Sequence, residues 1–192
     1  MDIILASSSP RRAELLRRFG VPYRITLSKV AEGQPHPPWS QWVEEIACRK
    51  AHAVAASSGE IIIAADTIVV KDDVVLGKPT DEQEAKNMLT FLSGGVHEVM
   101  TGICVIDCLH ERVLQDVEIT KVYFRPLTAE EIKAYIACNE SLDKAGAYGI
   151  QGVGSLLVEK IEGCYYNVVG LPLVKTMTML RKCGVKILGG EK

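Results

Sequence analysis

Apolar runs of strand type, joined by both helices and hairpins, predict an α/β fold: a mixed twisted sheet with flanking helices. Three observations carry this reading. Ile3-Ile4-Leu5-Ala6 and Glu60 to Val70 are strand-type runs; segments opening at Pro10, Ser40, Thr80, Thr128 and Pro172 repeat apolar residues at helical spacing; and Glu162-Gly163 separates two short runs as a hairpin turn would. With 192 residues, 47% of them hydrophobic, the chain is expected to bury one core as a single domain over 1–192.

In chain order, Pro10 suits a first helical position behind Ser9 as N-cap, and the helix carries Leu15, Leu16 and Phe19 inward to Gly20. Gly33, Pro35, Pro37 and Pro38 exclude regular structure from Glu32 to Pro38. A second helix is expected from about Ser40 to Ser57, then a buried strand to Val70. Thr80-Asp81 opens a third helix with capping spacing to Gln83 and Glu84, an apolar face of Ala85, Met88, Leu89 and Leu92, and Gly94-Gly95 as its stop. Strands follow at Glu98 to Asp107 and Val117 to Arg125, and Thr128 with Glu131 caps a helix ending near Asn139. Ser155 to Ile161 and Cys164 to Val169 are expected to pair as a hairpin, and Pro172 opens a last helix with Leu173, Val174, Met177 and Leu180 inward.

The net charge of −2 gives no general attraction to nucleic acid or an anionic membrane, so any cationic site must be local. Six scattered cysteines fit neither a zinc site nor a disulfide framework and read as fillers in a reducing compartment. Met1-Asp2-Ile3 lacks a basic leader region and no apolar stretch reaches spanning length, so a soluble intracellular protein is expected.

Ser7-Ser8-Ser9-Pro10-Arg11-Arg12 reads as a phosphate cradle: a helix N-terminus aims free N–H groups at whatever lies above the strand, and two guanidiniums gain from a bound anion. The competing reading is a capped helix with solvated arginines. Asp66 interrupts the buried run Ile61 to Val70, a position that costs several kcal/mol, roughly, without compensation. A bulge or strand end would relieve it. Lys50 interrupts the inward stripe Val43, Ile46, Ala47, Val54 of the second helix; it either snorkels to the rim or crosses to a carboxylate or phosphate. The two anomalies suggest each other as partners. Taken as an uncompensated charge, Asp66 would gain stability on change to Asn; Lys50→Met would restore an apolar stripe and fold well. Asp143 to Gly154 holds four glycines in its last nine residues, letting backbone approach a ligand, with Asp143, Lys144 and Gln151 as polar tips. No dinucleotide fingerprint fits there, and Gly77-Lys78-Pro79 is not a P-loop, although Lys78 suits a phosphate contact.

Six stretches in order resemble the Maf family of nucleoside triphosphate pyrophosphatases: Ser7-Ser8-Ser9-Pro10-Arg11-Arg12, Ala64-Ala65-Asp66-Thr67, Gly77-Lys78-Pro79, Leu92-Ser93-Gly94, Asp143 to Gly152, and Val169-Gly170-Leu171-Pro172. The resemblance runs from Ile3 to about Leu180. It implies a fold similar to the inosine triphosphate pyrophosphatases, with two lobes around a cleft. It further implies hydrolysis of a nucleoside triphosphate to monophosphate and pyrophosphate with Mg²⁺ or Mn²⁺, and a cytoplasmic homodimer. By position, Asp66 matches the catalytic carboxylate, and Ser7, Arg12, Lys50, Lys78 and Lys144 match polar and phosphate-handling positions. Glu32 matches an acid that could share the metal, while the family's frequent second acid is Ala31 here. Members acting on 7-methyl-GTP carry Trp, Gln and Glu where this chain has Arg11, Thr67 and Gln151, which makes it look like the dTTP/UTP branch. The alternatives are a 7-methyl-GTP or broad-range pyrophosphatase, or a nucleotide- or RNA-binding regulator linked to cell division.

Overall fold

The β-branched run 61–70 folds as one unbroken strand, and the rest of a seven-stranded sheet is assembled around it. In the computed structural model, which describes residues 2–18 and 20–187, the strands are β1 (Ile3–Leu5), β2 (Arg24–Ile25), β3 (Ile61–Lys71), β4 (Val74–Leu76), β5 (Val96–Asp107), β6 (Arg112–Phe124) and β7 (Val158–Glu162). The helices are α1 (Pro10–Arg18), α2 (Trp39–His52), α3 (Glu82–Leu92), α4 (Ala129–Ala137), α5 (Tyr165–Val169) and α6 (Leu173–Lys182). The expected inward Phe19 lies outside the described residues. Strand order is β2-β1-β3-β5-β6-β7, with β4 on β3. β1 pairs parallel with β2 and β3 (Ile4 opposite Arg24 and Ile62), whereas β3–β4 and β6–β7 are antiparallel, so the sheet is mixed as expected.

The chain divides into two compact units, one of Met1–Asp66, Thr101–Glu118 and Gly170–Lys192, the other of Thr67–Met100 and Ile119–Val169. In the first, Ile4, Ala6, Ile62, Ala64 and Cys104 from the strands pack on Ala47, Ala51 and Val54. Small residues let α2 lie close to the sheet, and Gly102 lets it closer still: a Cβ there would run into the Val43 carbonyl and lie 2.7 Å from the Glu44 Cα. In the second unit, Ala85, Leu89 and Leu92 of α3 and Ile132, Tyr135 and Ile136 of α4 pack with Val69, Val122 and Phe124. Both helices start as the sequence predicts. Asp81 accepts from the Glu84 N–H at 2.7 Å, and Thr128 and Glu131 form a complete capping box.

Three expectations are corrected. Helix α2 stops at His52, five residues before Ser57, although Val54 remains buried. The hairpin of Ser155 to Ile161 with Cys164 to Val169 is absent: residues 152–157 form a 3₁₀ helix, β7 pairs with β6, and 165–169 is the helix α5. The cause is Asn167, whose Nδ2 donates to the Val99 carbonyl and Thr120 Oγ1, both at 2.9 Å, while the Cys164 N–H also reaches Thr120 Oγ1. These bonds outweigh the strand preference of Val168 and Val169. Val174 is 75% exposed; the inward stripe of α6 is Leu173, Thr176, Met177 and Leu180. Strands β2 and β4 were too short to predict, β4 following a turn in which Asp72 and Asp73 both take positive φ.

Gly102→Ala forces α2 away from β5 and should cost about 2–3 kcal/mol, in the range of core overpacking. Urea denaturation checks this; unchanged stability would mean that the helix shifts freely.

Candidate active site

The turn after β1 is built around one hydroxyl. Ser7 is buried, and its Oγ accepts from the Ser9 N–H at 3.2 Å and from Arg12 Nη1 at 3.1 Å. Arg12 Nε donates to the Gly170 carbonyl at 2.7 Å, so two acceptors fix the guanidinium plane at the start of α1. Burial pushes Arg12 below its ordinary value, the Asp66 carboxylate opposes that, Arg11 adds to it, and Glu32 opposes it again. Arg12 therefore stands in the field of both acids. Arg11 is half-buried beside it.

Asp66 is 8% exposed in the middle of β3. Compensation comes from Lys50, which crosses the inward face of α2: its Nζ lies 2.5 Å from Asp66 Oδ1 and 2.6 Å from Glu32 Oε1. The side chains of Lys50 and Asp66 are 15% and 11% exposed, that of Glu32 50%. One ammonium thus joins a buried acid to an exposed one. The pairing also revises the expected stability effects: Asp66 is not an uncompensated charge, and Lys50 is an ion-pair partner whose loss strands it.

Two contributors escaped the sequence reading. Arg49 Nη2 donates to the Glu32 carbonyl at 2.8 Å, tying the irregular segment that carries Glu32 to α2. Only its adjacency to Lys50 hinted at this. The Gly170 carbonyl on Arg12 left no signal beyond its place in the motif Val169 to Pro172.

Ser7, Arg12, Glu32, Lys50 and Asp66 are brought together within the first unit. Thr67, Lys78, Lys144 and Gln151 belong to the second. There the Gly146 N–H donates to the Gly77 carbonyl at 3.0 Å, setting the loop of Lys78 beside that of Lys144. Lys78 is exposed, and Thr67 and Gln151 are half-buried. Lys144 Nζ reaches the Glu140 carbonyl at 2.5 Å and Asp143 Oδ1 at 2.6 Å, and its stem lies against Gly149, where a Cβ would come within 2.7 Å of Lys144 Cε.

Asp66 and Glu32, already converging on one cation, suit a hard divalent ion held by one or two carboxylates and completed by water and phosphate oxygens. Among the described residues no group of three or more His, Cys, Asp or Glu is placed to hold a metal ion. No helix among them is long and apolar enough to cross a membrane.

Residues 2–183 match the family model described as Maf-like protein. The chain belongs to the Maf family. A dTTP/UTP pyrophosphatase of Caldicellulosiruptor saccharolyticus is 48% identical to this Maf protein over 98% of each chain. One of Carboxydothermus hydrogenoformans is 50% identical over 96% of this chain and 100% of its own. A HAM1 protein from Coxiella burnetii shares the fold, with a TM-score of 0.55 at 13% identity over 95% of this chain and 99% of that one.

Lys50→Met leaves Asp66 buried beside an apolar group and should destabilise by about 3–5 kcal/mol, the range for removing one partner of a buried pair. Asp66→Asn, whose amide oxygen still accepts from Lys50, should cost about 1 kcal/mol. The double variant should recover most of the loss, as read by urea denaturation; strictly additive losses would show that the two residues do not pair.

Proposed function

We propose that this Maf protein hydrolyses dTTP and UTP to the monophosphate and pyrophosphate. The relatives named for that activity support the substrate, and the observation that carries the chemistry is the buried Asp66 carboxylate held by Lys50 at 2.5 Å. In this reading Arg12, oriented by Ser7 and the Gly170 carbonyl, takes the triphosphate oxygens at the start of α1, where the helix dipole favours an anion. Lys50 occupies Asp66 Oδ1 and leaves Oδ2 to orient the attacking water and accept its proton as the α,β-anhydride opens. Lys78 and Lys144 are assigned to the phosphates. Asp66 and Glu32 would hold Mg²⁺ or Mn²⁺, which when bound neutralises charge on the phosphoryl oxygens.

Arg11, Thr67 and Gln151 are assigned to the base. Gln151 offers a donor and an acceptor that suit the carbonyls and N3–H of uracil and thymine. A 7-methyl-GTP preference is disfavoured because a cationic purine calls for an aromatic face and a carboxylate, and those three positions supply neither. A purely sensing role is disfavoured because Asp66 would repel phosphates to no purpose. The reading includes a cytoplasmic homodimer without membrane or nucleic-acid partners, and the six free cysteines support a reducing compartment.

A nucleotide panel assayed for pyrophosphate should give dTTP and UTP as preferred substrates, with CTP slower because it lacks N3–H. Release of orthophosphate and a diphosphate would overturn the reaction. Asp66→Asn should cut turnover by roughly two or more orders of magnitude, the scale of a lost acid–base group; near-parent turnover would make Asp66 structural. Arg11→Trp, Thr67→Gln and Gln151→Glu together should move activity from dTTP and UTP towards 7-methyl-GTP, and single changes should do much less because each leaves two of the three pyrimidine-suited side chains in place. Full pyrimidine preference in the triple variant would remove these positions from base reading.

A further inference from the structure

His97 has no part in the chemistry above, yet it is a deeply buried titratable group of the second unit, 2% exposed. Burial, reinforced by Lys71, pushes its imidazole down to about 3. It is therefore neutral at any working pH and is no proton carrier. It is instead a directional group inside an aromatic cluster. Its Nε2 lies 2.7 Å from the Tyr148 hydroxyl, and the rings of His97, Phe124 and Tyr148 meet edge to face at centroid distances of 5.1, 5.4 and 4.7 Å. A core built only for burial would place three phenylalanines here. The polar pair costs desolvation on both sides, and what it adds is a fixed direction for Tyr148.

Tyr148 begins the stretch that carries Gln151. The next residue is pinned as well: the Gly149 N–H donates to the hydroxyl of Tyr135, a buried side chain of α4, at 3.2 Å. Gly154 lacks a Cβ where one would press on the Gly149 carbonyl and lie 2.9 Å from that same hydroxyl. On the other side of Gln151, Gly152 takes a φ of +66° directly over Glu140, where a Cβ would come within 2.7 Å of Oε1. Gln151 is thus bracketed within two residues on each side by backbone amides bonded to neighbouring side chains, Gly149 to Tyr135 and Val153 to Glu140.

We propose that His97, acting through Tyr148, and Tyr135, acting through the Gly149 amide, are positioning residues that aim Gln151 and so set base discrimination. This rests on the reading that Gln151 contacts the base. A misaimed amide loses pairing with uracil or thymine while the machinery around Asp66 is untouched, so the effect belongs in KM and in base preference rather than in turnover.

The test separates aiming from simple stability. His97→Phe and Tyr148→Phe each strand one buried polar group and should lower the melting temperature. The double variant strands neither and should recover most of the loss. Even so, the double variant should raise KM for UTP by roughly tenfold, the equivalent of one lost polar contact, lower the UTP-to-CTP ratio of kcat/KM to match, and keep kcat within about twofold. His97→Gln, which keeps both a donor and an acceptor, should restore part of the discrimination. Amide hydrogen exchange without nucleotide should be faster at Gly149 and Ile150 in the double variant. Parent-like exchange there, or unchanged discrimination in a double variant when Gln151→Ala lowers it in the parent background, would overturn the proposal. If Gln151→Ala itself leaves discrimination unchanged, the base assignment of the proposed function fails, and exchange alone then decides whether the pair holds the loop.

Discussion

A carboxylate placed mid-strand in a buried sheet is tolerable only with a cation beside it, and the first unit is arranged to bring one there. The cation has to come from α2, because Lys50 must span from helix to strand without leaving the interior. Its reach limits how far α2 can stand off the sheet. The helix face is accordingly built from Val43, Ile46, Ala47 and Ala51, and Gly102 lets its backbone touch β5. The small residues of this core, with Gly102, bring α2 near the strands, and Lys50 reaches Asp66 from there.

The pair is asymmetric in a way that matters. Asp66 is buried and Glu32 half exposed, yet both share the same ammonium. Exposed ion pairs contribute little, about 0–1 kcal/mol, because water competes for both partners. Buried partners have no such competitor, and losing one leaves the other uncompensated. The stability tied up in this trio therefore lies between Lys50 and Asp66. Glu32 is the member that can change partners at small cost, and Arg49 keeps its backbone nearby whichever partner it takes.

Much of the fold was legible wherever one local signal acted alone. The run at Ile61 had no competing pattern, and the starts of α3 and α4 were written in Asp81 and in Thr128 with Glu131, whose side chains act within a single turn. The site's core was legible for a different reason. Asp66 and Lys50 each violate a pattern that is otherwise continuous, and two violations of opposite charge call for each other. What was not legible depended on partners distant in the chain. Asn167 draws 165–169 into a helix by bonding Val99 and Thr120, more than forty residues away, and no periodicity within the segment reports that. Arg49 and the Gly170 carbonyl act through backbone atoms, which every residue possesses and no sequence distinguishes.

The two units hold their polar side chains by different means, and the difference follows from what each arrangement must resist. Around Asp66 the forces are between full charges: they are strong, fall off slowly with distance and tolerate some misorientation, which suits groups that meet a highly charged ligand. Around Tyr148 and Tyr135 the restraints are neutral hydrogen bonds, individually modest but steeply dependent on angle. Charge at His97 would weaken that second arrangement, because an imidazolium would seek a counter-ion and pull the tyrosine with it. Its burial among Phe124, Tyr148 and the nearby Lys71 keeps it neutral and so preserves direction. Affinity for phosphate can survive a side chain that swings by an ångström, whereas discrimination between one pyrimidine edge and another cannot. The neutral positions of the second unit can therefore be altered while leaving the ion pair, and the stability tied to it, undisturbed.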